Sequence, residues 1–157
     1  MREILTDKGQ VILIDDEDYK NLSQMKWMVD NRGYVRNGHQ RGQKKFVWMH
    51  RLILGLSRGD DRIVDHINGV KTDNRRSNLR ICSKSENGYN QGAQRNNTTG
   101  FKGVTVRKDS GRYMAQIRSR GKKIYLGLFD TAVEAHAAYC AAALELHGEF
   151  ANFGDGR

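Results

Sequence analysis

The sequence predicts an α+β chain built from two small modules, and three observations carry that prediction. Between residues 62 and 90 the pattern runs strand, polar loop, strand, helix. After residue 101 three alternating runs precede one Ala-rich helix, the pattern of a three-stranded antiparallel sheet packed on a helix. Between them, residues 91–100 are Gly, Asn, Gln and Thr rich with almost no apolar anchor, which reads as a linker. The expected division is therefore 1–90, a linker over 91–100, and 101–157. A chain of 157 residues is long enough for two such units.

The first module opens with a β-rich support. Gln10-Val11-Ile12-Leu13-Ile14 is an apolar strand, and Asp15 to Tyr19 begins a short acidic turn or helix. Met25 to Val29 and Gly33 to Arg36 form a hairpin through Asp30-Asn31-Arg32. Lys44 to Leu54 starts as a strand and ends as a helix, with Trp27, Trp48, Ile53 and Leu54 as core candidates. Arg62 to Ile67 is a β-branched run ending in Asp65-His66. Residues 68–78 have loop chemistry, and Leu79 to Cys82 resumes alternation. Ser83-Lys84-Ser85-Glu86 is a capping-box sequence that starts a helix and sets Asn87 in its first turn.

That second stretch concentrates chemistry. Asp65 offers a hard oxygen, and the Asn87 carboxamide offers another. A pair of this kind, completed by water and phosphate, suits Mg²⁺, with Mn²⁺ as the alternative. His66 titrates near neutrality and is a candidate general base on water. Neighbours on a regular strand face opposite ways, so Asp65 and His66 converge only where the strand ends. His50, beside an apolar run, is either an auxiliary metal or phosphate contact or a hydrogen-bonded core residue. Arg51 holds either DNA or a carboxylate; both readings stay open.

Asp65-His66-Ile67-Asn68-Gly69, Asp73-Asn74-Arg75, Asn78-Leu79-Arg80 and Asn87 together resemble the HNH nucleases of phages and homing elements. The resemblance implies a ββα-metal fold, with His66 as general base and Asp65 and Asn87 as metal ligands. It also implies that Asn78 pins the loop, that Asn74 touches phosphate, and that Asn90 shares the ligand role. Asn87 stands where many relatives carry His, which disfavours a transition metal. The leading Trp strand and Met49-His50-Arg51-Leu52 are similar to the same branch.

In the second module, Lys108 to Gly111 and Ser119 to Lys122 are hairpin turns. Thr131-Ala132-Val133-Glu134 is another capping box, opening a helix that runs to about His147 and stops at Gly148. Val133, Ala137, Cys140, Ala141 and Leu144 make the stripe expected to meet the sheet. Alternation gives an apolar face of Val104, Val106, Tyr113, Ala115, Ile117, Ile124, Leu126 and Leu128. The other face carries Thr105, Arg107, Arg112, Gln116, Arg118, Lys123 and Tyr125, a cationic surface that suits nucleic acid.

Lys102-Gly103-Val104, Ala115 to Arg118, Tyr125 to Thr131 and Ala138-Tyr139 resemble the DNA-binding domain of plant ethylene-response and APETALA-type factors. The resemblance implies a sheet laid in the major groove. Arg107 and Arg118 would reach guanine edges or phosphates, and Lys102, Lys123 and Tyr125 the backbone. Thr105, Gln116 and Tyr125 stand where plant domains hold Arg, Glu and Trp, so the plant sequence preference does not transfer.

The net charge of +9 points to a polyanionic partner. No apolar run of 18 residues exists to form a membrane span, and Met1-Arg2-Glu3-Ile4 has no signal core. Cys82 and Cys140 lack any Cys-x-x-Cys partner, so no structural zinc is expected and both should be reduced thiols. The combined expectation is a metal-dependent DNA endonuclease acting on double-stranded DNA in the cytoplasm of a phage-infected or bacterial host cell, as a monomer or weak dimer without membrane contact. The alternative is a non-catalytic, site-selective DNA-binding regulator with a relic nuclease fold.

Overall fold

A computed structural model describes residues 1–37 and 46–154. The chain is α+β, with helices set on small antiparallel sheets. It divides into two compact units, Met1–Cys82 and Ser83–Arg157.

Among the described residues, the first unit holds three two-stranded ladders. β1 (Arg2–Leu5) pairs with β2 (Val11–Ile14), and α1 (Asp16–Leu22) follows. The first strand was not expected from the sequence, because Arg2 and Glu3 leave it little apolar character. β3 (Trp27–Val29) and β4 (Val35–Asn37) form the expected hairpin, closed by Asp30, whose side chain accepts from the Arg32 and Tyr34 amides. α2 (Met49–Ile53) follows a single bridge between Arg36 and Trp48. Lys44 and Lys45, at the start of the strand expected before α2, lie outside the described residues. β5 (Ile63–His66) pairs with β6 (Leu79–Cys82), with Asp65 opposite Arg80 and His66 opposite Leu79. The core gathers Ile12, Ile14, Leu22, Trp27, Val35, Met49, Ile53, Leu56, Val64 and Leu79. Burial of each large side chain here is worth roughly 1.5–3 kcal/mol. Trp27 and Ile53 are in the core as expected, with Leu54 packed on its edge. Trp48 is only half-buried and its ring meets Tyr34, Phe46 and His50.

The second unit starts with α3 (Lys84–Tyr89), whose capping box between Ser83 and Glu86 is fully formed. Residues 91–100 are irregular; within them Ala93 is buried, and the Asn97 side chain donates to the Phe101 carbonyl. A three-stranded antiparallel sheet follows, β7 (Val104–Val106), β8 (Tyr113–Ser119) and β9 (Lys122–Phe129), in sequential order. α4 (Ala132–His147) packs on it behind the Thr131–Glu134 box and ends at Gly148 with φ 54°.

Two details differ from simple alternation. The β8–β9 register slips between Ala115 and Gln116, so Met114 opposes Leu128 while Gln116 opposes Tyr125. A bulge of this kind moves every residue beyond it to the other face. Phe129, not Leu128, therefore packs with Val104, Ala115 and Ala135. Its ring lies over Gly127, where an added Cβ would come within 2.9 Å of it. Val106, also expected on the apolar face, is 45% exposed.

The helix face differs as well. Val133 and Leu144 are 65% and 60% exposed, and the buried positions are Ala135, Tyr139, Ala143 and His147. In a helix so rich in Ala, many faces look apolar, and the steric fit of Tyr139 decides. Its ring sits against Gly103, where a Cβ would lie 2.0 Å from the ring.

Candidate functional site

In the first unit, the polar loop between β5 and β6 is held from both sides. The Leu13 amide donates to the Thr72 carbonyl at 2.9 Å, and the Asn74 amide donates to the Leu13 carbonyl at 2.8 Å, which fixes the loop to β2. Asn78 closes it from within: its amide nitrogen donates to the Asp73 carbonyl at 2.8 Å, and its Oδ1 accepts from the Asn68 amide at 2.9 Å. Asp73 is buried and takes two bonds from the Arg75 guanidinium, which holds its carboxyl below the usual range.

His66 is the last residue of β5 and is buried. Beyond it the chain turns, with the Gly69 amide donating to the His66 carbonyl and Gly69 at φ 73°. Its Nε2 lies 3.4 Å from Asn74 Oδ1. Burial pulls the imidazole below its ordinary value, while Asn74 and then Asp65 and Asp73 push it partly back. A ring neutral at physiological pH is what proton abstraction from water needs.

His50 stands edge-on to His66, with ring centroids 5.3 Å apart, and Tyr34 is tilted against both. His50 is buried, its Nδ1 has no hydrogen-bond partner among the described residues, and its titration is pulled down to about 3 by burial, with His66 and Arg51 adding to it. Arg51 is a strut: its guanidinium donates to the carbonyls of Ser57, Asp60 and Arg62.

Asp65 is buried, and its Oδ2 accepts from Arg80 Nε and Nη2 at 3.0 and 2.8 Å. Arg80 is a partner that sequence reasoning left without a role; the cross-strand register opposite Asp65 was the signal for it. Tyr34 and Lys71 were also missed. The Lys71 ammonium lies 4.2 Å from the Tyr34 ring centroid and donates to the Arg32 carbonyl. Among the described residues no three His, Cys, Asp or Glu side chains gather as a metal cage. Mg²⁺ held by one carboxylate, a carboxamide, waters and phosphate does not require one.

Asn87 and Asn90 lie in the second unit, in α3 and at its C-cap. On the sheet, cross-strand pairing puts Gln116 beside Tyr125 and Arg118 beside Lys123 on one face. Tyr125 is 63% exposed, and Arg118 and Lys123 are exposed too. Arg107 is paired with Asp109 and Arg112 with Asp130, both at the surface. Such exposed pairs are weak and readily exchanged for phosphate. Lys102 is placed differently. Its ammonium donates to the Tyr89 and Asn152 carbonyls at 2.8 and 2.9 Å, and burial pulls it down to about 8.

Comparison with known proteins agrees in chain order with these two sites. Residues 47–89 match the HNH endonuclease family model, and residues 99–149 match the AP2 domain model. The chain is 29% identical over 144 residues to an uncharacterized HNH endonuclease of Acanthamoeba polyphaga mimivirus, covering 92% of this chain and 74% of that one. It is 31% identical over 90 residues to protein 3.8 of Escherichia phage T7, covering 57% of this chain and 74% of that protein. An AP2/ERF and B3 domain-containing transcription factor of Arabidopsis thaliana is 46% identical over 56 residues, 36% of this chain and 16% of the plant protein. No solved structure matches the chain.

Proposed function

Because the chain belongs to the HNH endonucleases and carries a C-terminal AP2 domain, we propose that it is a metal-dependent DNA endonuclease, of the homing type, whose AP2 sheet selects where it cuts. The observation that carries this reading is the buried His66 imidazole at the end of β5, held neutral within the HNH-matching segment.

In this reading His66 takes the proton from the attacking water through its neutral imidazole. Asn74, whose Oδ1 lies 3.4 Å from the ring, orients it, and Asn78 keeps the loop closed. Asp65 and Asn87 would hold the divalent metal, Mg²⁺ or Mn²⁺, with Asn90 as a further donor. That ion would offset charge on the phosphorus-centred transition state and on the leaving oxygen. Arg80 sets the Asp65 carboxylate in place before any metal arrives. Arg107, Arg112, Gln116, Arg118, Lys123 and Tyr125 form the DNA-facing surface, with double-stranded DNA as the partner. Support comes from the exposure of all but the half-buried Gln116 and from the excess of cations on that face.

The test is incubation of supercoiled DNA with purified protein, with and without Mg²⁺ or Mn²⁺, followed by mapping of the ends. Nicks that appear only with the divalent ion are expected. Tight, site-selective binding with no nicks under any metal would instead make the protein a DNA-binding regulator.

A further inference from the structure

In a bare three-stranded sheet on one helix, the recognition face would be an open platform. Here it has a wall. Within the second unit, α3 and the loop after it border a groove of about 780 Å³ against the sheet. Lys84, Gln94 and Asn96 line one side, and Gln116, Arg118 and Lys123 the other. All of these but the half-buried Gln116 are exposed.

The wall is built into the unit. The Tyr89 ring stacks on His147 with centroids 3.8 Å apart and planes 4° from parallel. Its hydroxyl accepts from the Arg120 amide at 2.8 Å, and its carbonyl accepts from the half-buried Lys102 ammonium. Further along, Asn97 and Ala93 anchor the loop. Among the described residues, lysine, arginine and carboxamide side chains line the groove beside the apolar Val104, Ile117 and the Tyr89 ring, and no carboxylate does. Cations set among hydrogen-bonding amides, with no acid, suit a phosphodiester strand and disfavour a cationic guest.

We propose that Lys84 and the loop side chains Gln94 and Asn96 are a second DNA-contact surface, gripping the sugar–phosphate backbone of the duplex that flanks the sheet's own footprint. This rests on the sheet being the DNA-reading face. Lys84 neutralises a phosphate, while Gln94 and Asn96 donate to sugar or phosphate oxygens or reach base edges at the groove mouth. The footprint is therefore longer on one side than the sheet alone would give.

The experiment uses the full chain and a labelled duplex enriched by the wild-type protein from a random pool, read by titration and by hydroxyl-radical footprinting. Lys84→Gln and a Gln94→Ala, Asn96→Ala double variant are compared with Arg118→Ala. These wall residues are exposed and outside the core, and unchanged thermal unfolding verifies the fold of each variant. Each wall variant is expected to bind about three- to tenfold more weakly and to lose protection on one flank only. For Lys84→Gln, the slope of log affinity against log salt should fall by about 0.9. Wild-type affinity and footprint in both wall variants, with Arg118→Ala weakened, would overturn the inference alone. Wild-type binding in all three would overturn the sheet reading beneath it. Preferential competition by single-stranded DNA would overturn the choice of duplex.

Discussion

Among the described residues of the first unit, two imidazoles, His50 and His66, share the interior. Both are held below the ordinary histidine value by burial. Below about pH 6.5 the unfolded chain therefore binds more protons than the folded one, and stability falls as acid is added. For His50 the loss continues down to about pH 3, where the folded ring protonates as well. The slope contributed by one such ring approaches about 1.4 kcal/mol per pH unit. Urea unfolding at pH 7.5, 6 and 5 should show it, and His50→Gln should flatten the dependence whatever it does to absolute stability. An equal slope in both proteins would contradict the buried neutral ring. The sequence made His66 visible, because the Asp-His-x-Asn-Gly run is local. It left His50 open, because only the tertiary packing of α2 brings that ring edge-on to His66. The Arg80 contact to Asp65 lay between these cases, implicit in a strand register that pattern alone does not number.

The strands and helices were legible where their signals are local. Both capping boxes, the Asp30 hairpin and the Gly148 stop follow from side chains within a few positions of one another. What alternation could not supply was the bulge in β9, because one slipped residue reverses facing without altering composition. The rotation of α4 escaped for a related reason: a run of Ala offers no contrast between faces, and the choice lies in the fit of Tyr139 to Gly103 across the sheet. That rotation makes a paired prediction. Ala143 is fully buried, so Ala143→Leu overpacks the sheet interface and should cost about 1–3 kcal/mol. Ala141 is exposed, and Ala141→Leu should change stability by less than about 0.5 kcal/mol. Denaturant midpoints of the two variants check it, and the reverse order would restore the face first expected.

Across the whole molecule, a net charge of +9 is attached to a chain in which an HNH segment precedes an AP2 domain. Joining a cutting module to a reading module raises the effective concentration of the first once the second is on DNA. Binding should then weaken steeply with salt. Arg118→Ala should weaken it further and lower the slope by about 0.9 if that guanidinium neutralises a phosphate; a titration identical to wild type would remove Arg118 from the interface. Retention and cutting should separate as well, because the cationic sheet face does not include the imidazole. The most direct test measures both on one DNA: the nicking rate and the affinity of His66→Ala beside wild type, with Mg²⁺, at pH 7.5. Nicking by His66→Ala should fall about 100-fold or more, the scale of a missing general base, at unchanged affinity. Nicking by His66→Ala at the wild-type rate would contradict that role.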